Sequence, residues 1–393
     1  MMIYGTRSNK IIDFVFLLCL FWNCFVFGQS NERKIESFLL GGDLCFGETY
    51  QNRLEEKGKT NVLKAFGYDY GLAGIAPLLY KPDLVIANLE TPLTDILNSP
   101  FSEDQKYKIH KGDIIQNPMV LNKYNIKVVS LANNHAMDYG SEGLKQTFQI
   151  LSDNSIHYFG AGLNEKEASE PYRFYCQSGH NKLQIIIIGG LDYKKKYDEE
   201  YRFYADSNSV GINALTKDRI IAEIDEVRAK NNDAFIIVYP HWLENYVWRT
   251  EDQIVLAHTI IDAGADLMVG HGTHMFQEVE RYKNKWILYS IGNLMFNSPG
   301  RYQKKEANPY SFAGLFESRS RGKQVSMKIK LYFILSDNLK TNYQPRFLSK
   351  VEMFEALGLF KSHCINVNHQ RDYVVGRDKI GYYIALKTGQ LNK

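Results

Sequence analysis

Asn134, His135 and Asp138 stand close together in Leu131-Ala132-Asn133-Asn134-His135-Ala136-Met137-Asp138-Tyr139-Gly140, and their types suit metal or proton chemistry. An amide oxygen and a ring nitrogen can bind a metal or handle a proton, and the nearby carboxylate can orient the imidazole through its second nitrogen. The apolar run Ile126 to Leu131 stops at this cluster, and a glycine and a helix-like stretch from Ser141 to Asp153 follow. That is the pattern of a loop at the C-terminal end of a buried strand. The same residues also suit a helix N-cap, with Asn134 or Asp138 accepting backbone N–H bonds and His135 an ordinary loop histidine. The elements around the cluster bear on the choice.

Ile35 to Leu40 reads as a short buried strand that ends at Gly41-Gly42-Asp43. Asp43 is there either a metal ligand presented by a tight turn or a plain turn aspartate. Asp83 to Ala87 repeats the pattern and finishes in Asn88-Leu89-Glu90-Thr91-Pro92. Asn88 and Glu90 fall on one face if strand geometry persists, and Pro92 ends the pairing. Leu183 to Ile188 is a β-branched run suited to a strand covered on both faces, and Thr216 to Lys230 is an amphipathic helix. Ala234 to Val238 then ends in Tyr239-Pro240-His241-Trp242. After a helix over Gln253 to Ala263, the strand Asp266 to Val269 ends in Gly270-His271-Gly272-Thr273-His274. Strands that end at Asp43, Glu90, His135, His241 and His271, alternating with helices, imply one crevice at one sheet edge.

Other segments carry weaker signals. Asp95 to Gln116 lacks periodicity, as a lid or substrate-binding loop does. His110 within it is read as a surface histidine, with substrate contact as the alternative. Val279 to Tyr282 and Trp286 to Ile291 form a hairpin around Lys283-Asn284-Lys285. Beyond Tyr302 the texture changes: Val325 to Leu335 alternates like a half-exposed strand, Lys350 to Leu359 is helical, and Gly381 to Leu386 is a last strand.

Composition sets outer bounds. With 393 residues, 45% hydrophobic and 13% aromatic, the chain can bury a large core. A net charge of +3 from 47 basic and 44 acidic residues, with no long basic block, argues against a nucleic-acid partner. Arg7 and Lys10 precede the apolar stretch Phe14 to Phe27, so residues 1–28 read as a signal peptide cleaved after Gly28. An uncleaved N-terminal anchor is the other reading. Both place the mature protein outside the cytoplasmic membrane. Cys45, Cys176 and Cys364 remain, too few and too far apart for a disulfide framework, so any metal would be held by His, Asn and carboxylates.

Assembled, these stretches resemble the CapA family of capsule and poly-γ-glutamate synthesis proteins, a branch with a metallophosphatase-like fold. The likeness is carried by Gly42-Asp43, Asn88 to Thr94, Ala132 to Gly140, Gly160-Ala161-Gly162, His241-Trp242, Gly270 to His274 and Tyr289 to Asn293. The resemblance implies an α/β layered sandwich of the metallophosphatase-like type over residues 35–310, with a small α+β C-terminal extension, residues 311–393, packed on it. It implies a divalent metal site (Mn, Fe or Zn, one or two ions). Asp43 and His274 would serve the first ion, Glu90 would bridge, and Asn134, His241 and His271 would hold the second. His135 would give a proton to the leaving oxygen or stabilise charge on the phosphoryl group, with Asp138 orienting it. Apart from the resemblance, Asn88 and His110 are candidate substrate contacts. Three departures stand out: Cys45 replaces the histidine of the opening Asp-x-His motif, Gly272 stands where a second histidine is common, and Leu243 and Asn245 replace a Gly and a Glu. Two functions follow. One is a component of anionic polymer synthesis or export, with membrane-bound partners; the other is a metal-dependent hydrolase such as a phosphoesterase, acting on a phosphorylated or other envelope substrate.

Overall fold

The computed structural model describes residues 1–2, 34–103, 108–322 and 324–388. The expected signal peptide therefore lies outside the described residues except for Met1 and Met2. Among the described residues no helix is long and apolar enough to cross a membrane. Residues Ile35–Lys393 form one compact unit, a mixed α/β arrangement built on two large sheets.

The first sheet has a parallel centre, Ser37–Cys45, Leu84–Leu89, Ile126–Ser130 and His157–Phe159, in that spatial order. Tyr310–Arg321 and Gln324–Leu335 extend it antiparallel from Ser37–Cys45, followed by Tyr382–Leu386 and Tyr373–Arg377. Residues past 310 thus contribute strands to the sheet that carries Asp43. The second sheet also has a parallel centre, Asn181–Asp192, Phe235–His241, Leu267–Val269 and Lys285–Leu288. Val279–Tyr282 pairs antiparallel with Lys285–Leu288, the hairpin expected there. Lys283 and Asn284 take φ of 47° and 62°, the left-handed turn that joins two twisted strands tightly.

Side-chain alternation assigns each strand two faces, and the burial follows it. Phe38, Leu40, Ile86 and Val128 of the first sheet share a core with Ile185, Ile187, Phe235 and Ile237 of the second. Phe38 meets Phe174 edge-on at 5.1 Å and stacks on Phe316 at 4.6 Å. The alternate residues Leu39, Val85 and Val129 pack against Leu72, Leu78, Leu121, Leu144 and Leu151 of helical segments. On the second sheet Ile186, Ile236 and Val238 pack against Ile220, Ile224, Ile260 and Ile261. Full burial of each such side chain contributes about 1.5–3 kcal/mol, enough to fix every strand's register.

The helices start where the sequence caps them. Thr216 accepts from Arg219 N at the head of Lys217–Lys230, and Thr250 with Gln253 forms a reciprocal cap on Glu251–Asp262. One expectation is corrected. Gly41-Gly42 is not a turn: the strand Ser37–Cys45 runs through it, so Asp43 lies inside the strand. Its pairing with Leu84–Leu89 shifts register between Leu40 and Asp43. The glycine serves a close approach, since a Cβ on Gly42 would lie 1.6 Å from Gly292 O.

Candidate metal centre

The parallel strands at the centre of both sheets deliver their C-terminal ends to one edge, and the polar residues collect there. Asp43 is fully buried. Its Oδ1 accepts from Asn88 Nδ2 at 2.9 Å and lies 2.9 Å from His271 Nδ1, and its Oδ2 accepts from Gly272 N at 2.9 Å. His241 Nδ1 lies 3.1 Å from His271 Nδ1, and His241 Nε2 lies 2.9 Å from Asn134 Oδ1. His274 Nδ1 faces Asn293 Oδ1 at 2.9 Å, and Asn293 Nδ2 donates to Tyr302 OH at 3.1 Å. Two groups of donor atoms result, Asp43 with His241 and His271, and Asp43 with Glu90 and His274, each lying within 4.8 Å of one another.

Electrostatics match a cation site. Asp43 is held down at about 2: burial works against ionisation, but the His271 hydrogen bond and the neighbouring imidazoles outweigh it. Glu90 is pushed well above the usual carboxylate range by burial, and then by the charges of Asp43 and Asp138. Burial also drives His241 and His274 down, and His135 to about 3, so these three imidazoles are neutral. Neutral imidazoles beside an ionised Asp43 are in the protonation states that metal ligands need. The fit is visible in one atom in particular: Glu90 Oε2 is buried with no hydrogen-bond partner. A cation between Glu90, Asp43 and His274 would satisfy it.

His135 sits over this cluster on the loop that leaves Ile126–Ser130. Its Nδ1 lies 2.9 Å from Asp138 Oδ2 and its Nε2 lies 3.9 Å from Glu90 Oε1. The structure therefore gathers Asp43, Glu90, Asn134, His135, Asp138, His241, His271 and His274. The two residues expected at substrate stand differently. Asn88 is fully buried beneath Asp43 and His241, so it supports the cluster and does not face a substrate. His110 is only 2% exposed, so it is not a surface histidine. Its Nδ1 faces the Glu90 carbonyl oxygen at 2.9 Å, its Nε2 lies 3.1 Å from Tyr50 OH, and Cys45 Sγ is 3.8 Å away. A carbonyl only accepts, so Nδ1 carries the hydrogen and Tyr50 donates to Nε2.

The departures acquire physical reasons here. Cys45 is buried against His110, and burial keeps its thiol well above the ordinary range. Gly272 has φ of 97° and donates its N–H to Asp43, and a Cβ there would lie 2.3 Å from Trp242 O. A histidine does not fit that backbone.

A cleft of about 430 Å³ opens above the cluster, floored by His110, Asn134, His135 and His274. Arg53, Lys57, Lys108 and Arg301 line it together with Tyr50 and Tyr246, and among the described residues no Asp or Glu does. None of these six was singled out in the sequence. The available signal was the spacing of Arg53 and Lys57, one turn apart at the end of the helix Glu48–Glu56.

Residues 37–298 match the family model described as bacterial capsule synthesis protein PGA_cap, a span that holds every residue of the cluster. The chain belongs to the PGA_cap family. It is 28% identical over 294 residues to the PGA biosynthesis protein CapA of Bacillus subtilis, covering 73% of this chain and 70% of that one. The capsule biosynthesis protein CapA of Bacillus anthracis is 28% identical, over 68% of this chain and 62% of its own. A probable polyglutamine synthesis accessory protein of Mycobacterium tuberculosis is 29% identical, over 69% of this chain and 77% of its own. Among solved structures, GAP50, described as the anchor in the inner membrane complex of Plasmodium, covers 86% of this chain and 99% of that one. The identity is 12% and the TM-score 0.33. On one edge, Glu90, His241 and His271 stand at or just beyond strand ends, Asp43 lies inside Ser37–Cys45 near its end, and His135 lies on the loop after Ile126–Ser130.

Proposed function

We propose that this PGA_cap protein works outside the cytoplasmic membrane in the synthesis or export of an anionic polymer of the capsule or poly-γ-glutamate type. In this reading the chain lies in the cleft over a divalent metal centre. The observation that carries the reading is the cleft's lining: Arg53, Lys57, Lys108 and Arg301, with no carboxylate among the described residues, opening onto neutral imidazoles. A wall of that sign attracts polyanions and repels cations. Tyr50 and Tyr246 add apolar faces against which a backbone can rest.

A second reading, a metal-dependent hydrolase of the metallophosphatase type, is supported by His135 and Asp138, whose contact at 2.9 Å suits proton handling. Asp43, Glu90, Asn134, His241, His271 and His274 would hold Mn, Fe or Zn. The bound ion would supply stabilisation of developing negative charge on a phosphoryl or acyl oxygen. Asp138 fixes the His135 ring, and Nε2 is the atom that gives or takes a proton at the substrate. Arg301 and Lys108 hold the substrate's anionic groups.

The deciding experiment combines binding with complementation. Purified protein should retain poly-γ-glutamate in preference to a neutral polysaccharide, and a polymer-deficient strain lacking its own CapA should recover surface polymer when this chain is expressed. No preference for polyanion in binding together with failed complementation would sink the first reading. Turnover of a phosphoester panel that depends on His135 would establish the second.

A further inference from the structure

Asn133 is fully buried between the metal cluster and the His135 loop, and both ends of its amide are hydrogen-bonded. Its Nδ2 donates to Leu89 O at 2.8 Å and to Asn88 Oδ1 at 2.9 Å, and its Oδ1 accepts from His135 N at 3.0 Å. Leu89 O can only accept and His135 N can only donate, so the amide has one allowed orientation. That orientation fixes the next residue. Asn88 turns its Oδ1 to Asn133 and its Nδ2 to Asp43 Oδ1 at 2.9 Å, facing His241 Nδ1 at 3.3 Å. A chain of hydrogen bonds thus runs in one direction from the His135 backbone through Asn133 and Asn88 to Asp43.

The sheet explains why such a link is needed. Asn88 is the cross-strand neighbour of Asp43 on one side and of Ser130 on the other. Beyond Ser130 the chain leaves the sheet, so backbone pairing no longer fixes where Asn134, His135 and Asp138 lie relative to Asp43. We propose that Asn133 is a positioning residue that holds the Asp43 and His241 side of the centre in register with the loop carrying Asn134 and His135. The proposal rests on the metal-centre reading above. Groups that orient ligands from behind change metal affinity by about 10–100-fold when removed.

The test is Co²⁺ titration of the full chain, with dissociation constant and visible absorption spectrum as readouts. The variants are Asn133→Ala, Asn133→Asp and Thr147→Val. Thr147 is a control, fully buried and bonded to Leu93 N at 3.0 Å outside the cluster. Asn133→Ala should weaken Co²⁺ by about 10-fold or more and change the spectrum. Asn133→Asp keeps the acceptor for His135 N but loses both donations, and it should do the same if the alanine variant does not fold. Thr147→Val should lose thermal stability but keep the wild-type constant and spectrum. Wild-type affinity and spectrum in folded Asn133 variants would overturn the proposal, as would equal loss in Thr147→Val. If wild-type protein takes up no Co²⁺, Mn²⁺ or Zn²⁺, the metal reading fails and the proposal falls with it.

Discussion

The rings of His110 and His135 lie face to face, their centroids 3.5 Å apart and their planes 11° from parallel. Donor atoms of this pair and of Asp138 lie within 4.8 Å of one another, yet an ion in the plane of one ring would sit well out of the plane of the other. The pair is therefore a stack and not a shared ligand set. His110 supports His135 from behind, and its backbone N–H also donates to the Asp138 carboxylate that orients His135. His110→Ala should leave metal content unchanged and lower stability by about 2 kcal/mol through the emptied stack. Metal analysis and urea unfolding of the same sample would check both halves, and loss of an ion equivalent would show that His110 is a ligand.

His135 and His241 should separate cleanly. His135→Ala should keep the metal and, if the centre is hydrolytic, lower turnover by about two to four orders of magnitude. His241→Ala should lose metal, because a small N/O set does not easily replace a ligand. Elemental analysis beside a phosphoester assay measures this. Full polymer complementation by His135→Ala would assign the centre to binding.

The contrast between these histidines shows what the sequence made legible. Asp43, Glu90, Asn134, His241 and His271 could be found because each interrupts or closes an apolar run, and parallel strands bring such ends to one edge. His110 could not be placed so. It lies in a loop without periodicity and is drawn inward by long-range bonds to Asp138, Glu90 and Tyr50, which have no local signature. Gly41-Gly42 misled for a related reason: two glycines mark a turn or a close approach, and only Gly292 across the strand decides which. Gln324–Leu335 alternates at its start but is fully buried from Leu331 on, because it lies inside the sheet between Tyr310–Arg321 and Tyr382–Leu386.

The cationic wall of the cleft should act additively and through salt. Arg301→Glu and Lys57→Glu should each weaken poly-γ-glutamate binding by about five-fold at low salt, with the difference shrinking as salt is raised. Binding isotherms at two ionic strengths would measure it. Equal affinity of wild type and the double reversal at low salt would remove the cleft as the polymer site.

Glu223 should make stability fall with rising pH. Burial is the main cause that lifts it from 4.5 to about 7, only partly offset by Asn213 and Arg219. Its folded-state pKa lies above the unfolded one, so its contribution is fully present below about pH 4.5 and is lost as pH rises through about 7. Glu223→Gln should flatten that part of the curve. Urea midpoints between pH 4.5 and 8 would show it, and an unchanged slope would mean that Glu223 ionises normally.

Glu90 provides the most direct separation of a metal centre from a merely buried acidic cluster. In metal-free protein it is a cost: its Oε2 has no partner, and it shares a buried site with Asp43 and Asp138. Glu90→Gln removes the carboxyl whose ionisation burial and the Asp43 and Asp138 charges oppose, while keeping the shape, so the metal-free variant should be at least as stable as wild type. With metal the order should reverse. Wild type in Mn²⁺ at 100 times its dissociation constant gains about 2.7 kcal/mol, whereas a variant lacking the carboxylate binds weakly and gains little. Thermal unfolding of both proteins with chelator and with Mn²⁺ gives the four values required. If Glu90→Gln destabilises the metal-free protein and Mn²⁺ stabilises both proteins equally, Glu90 is a structural carboxylate and takes no part in holding a cation.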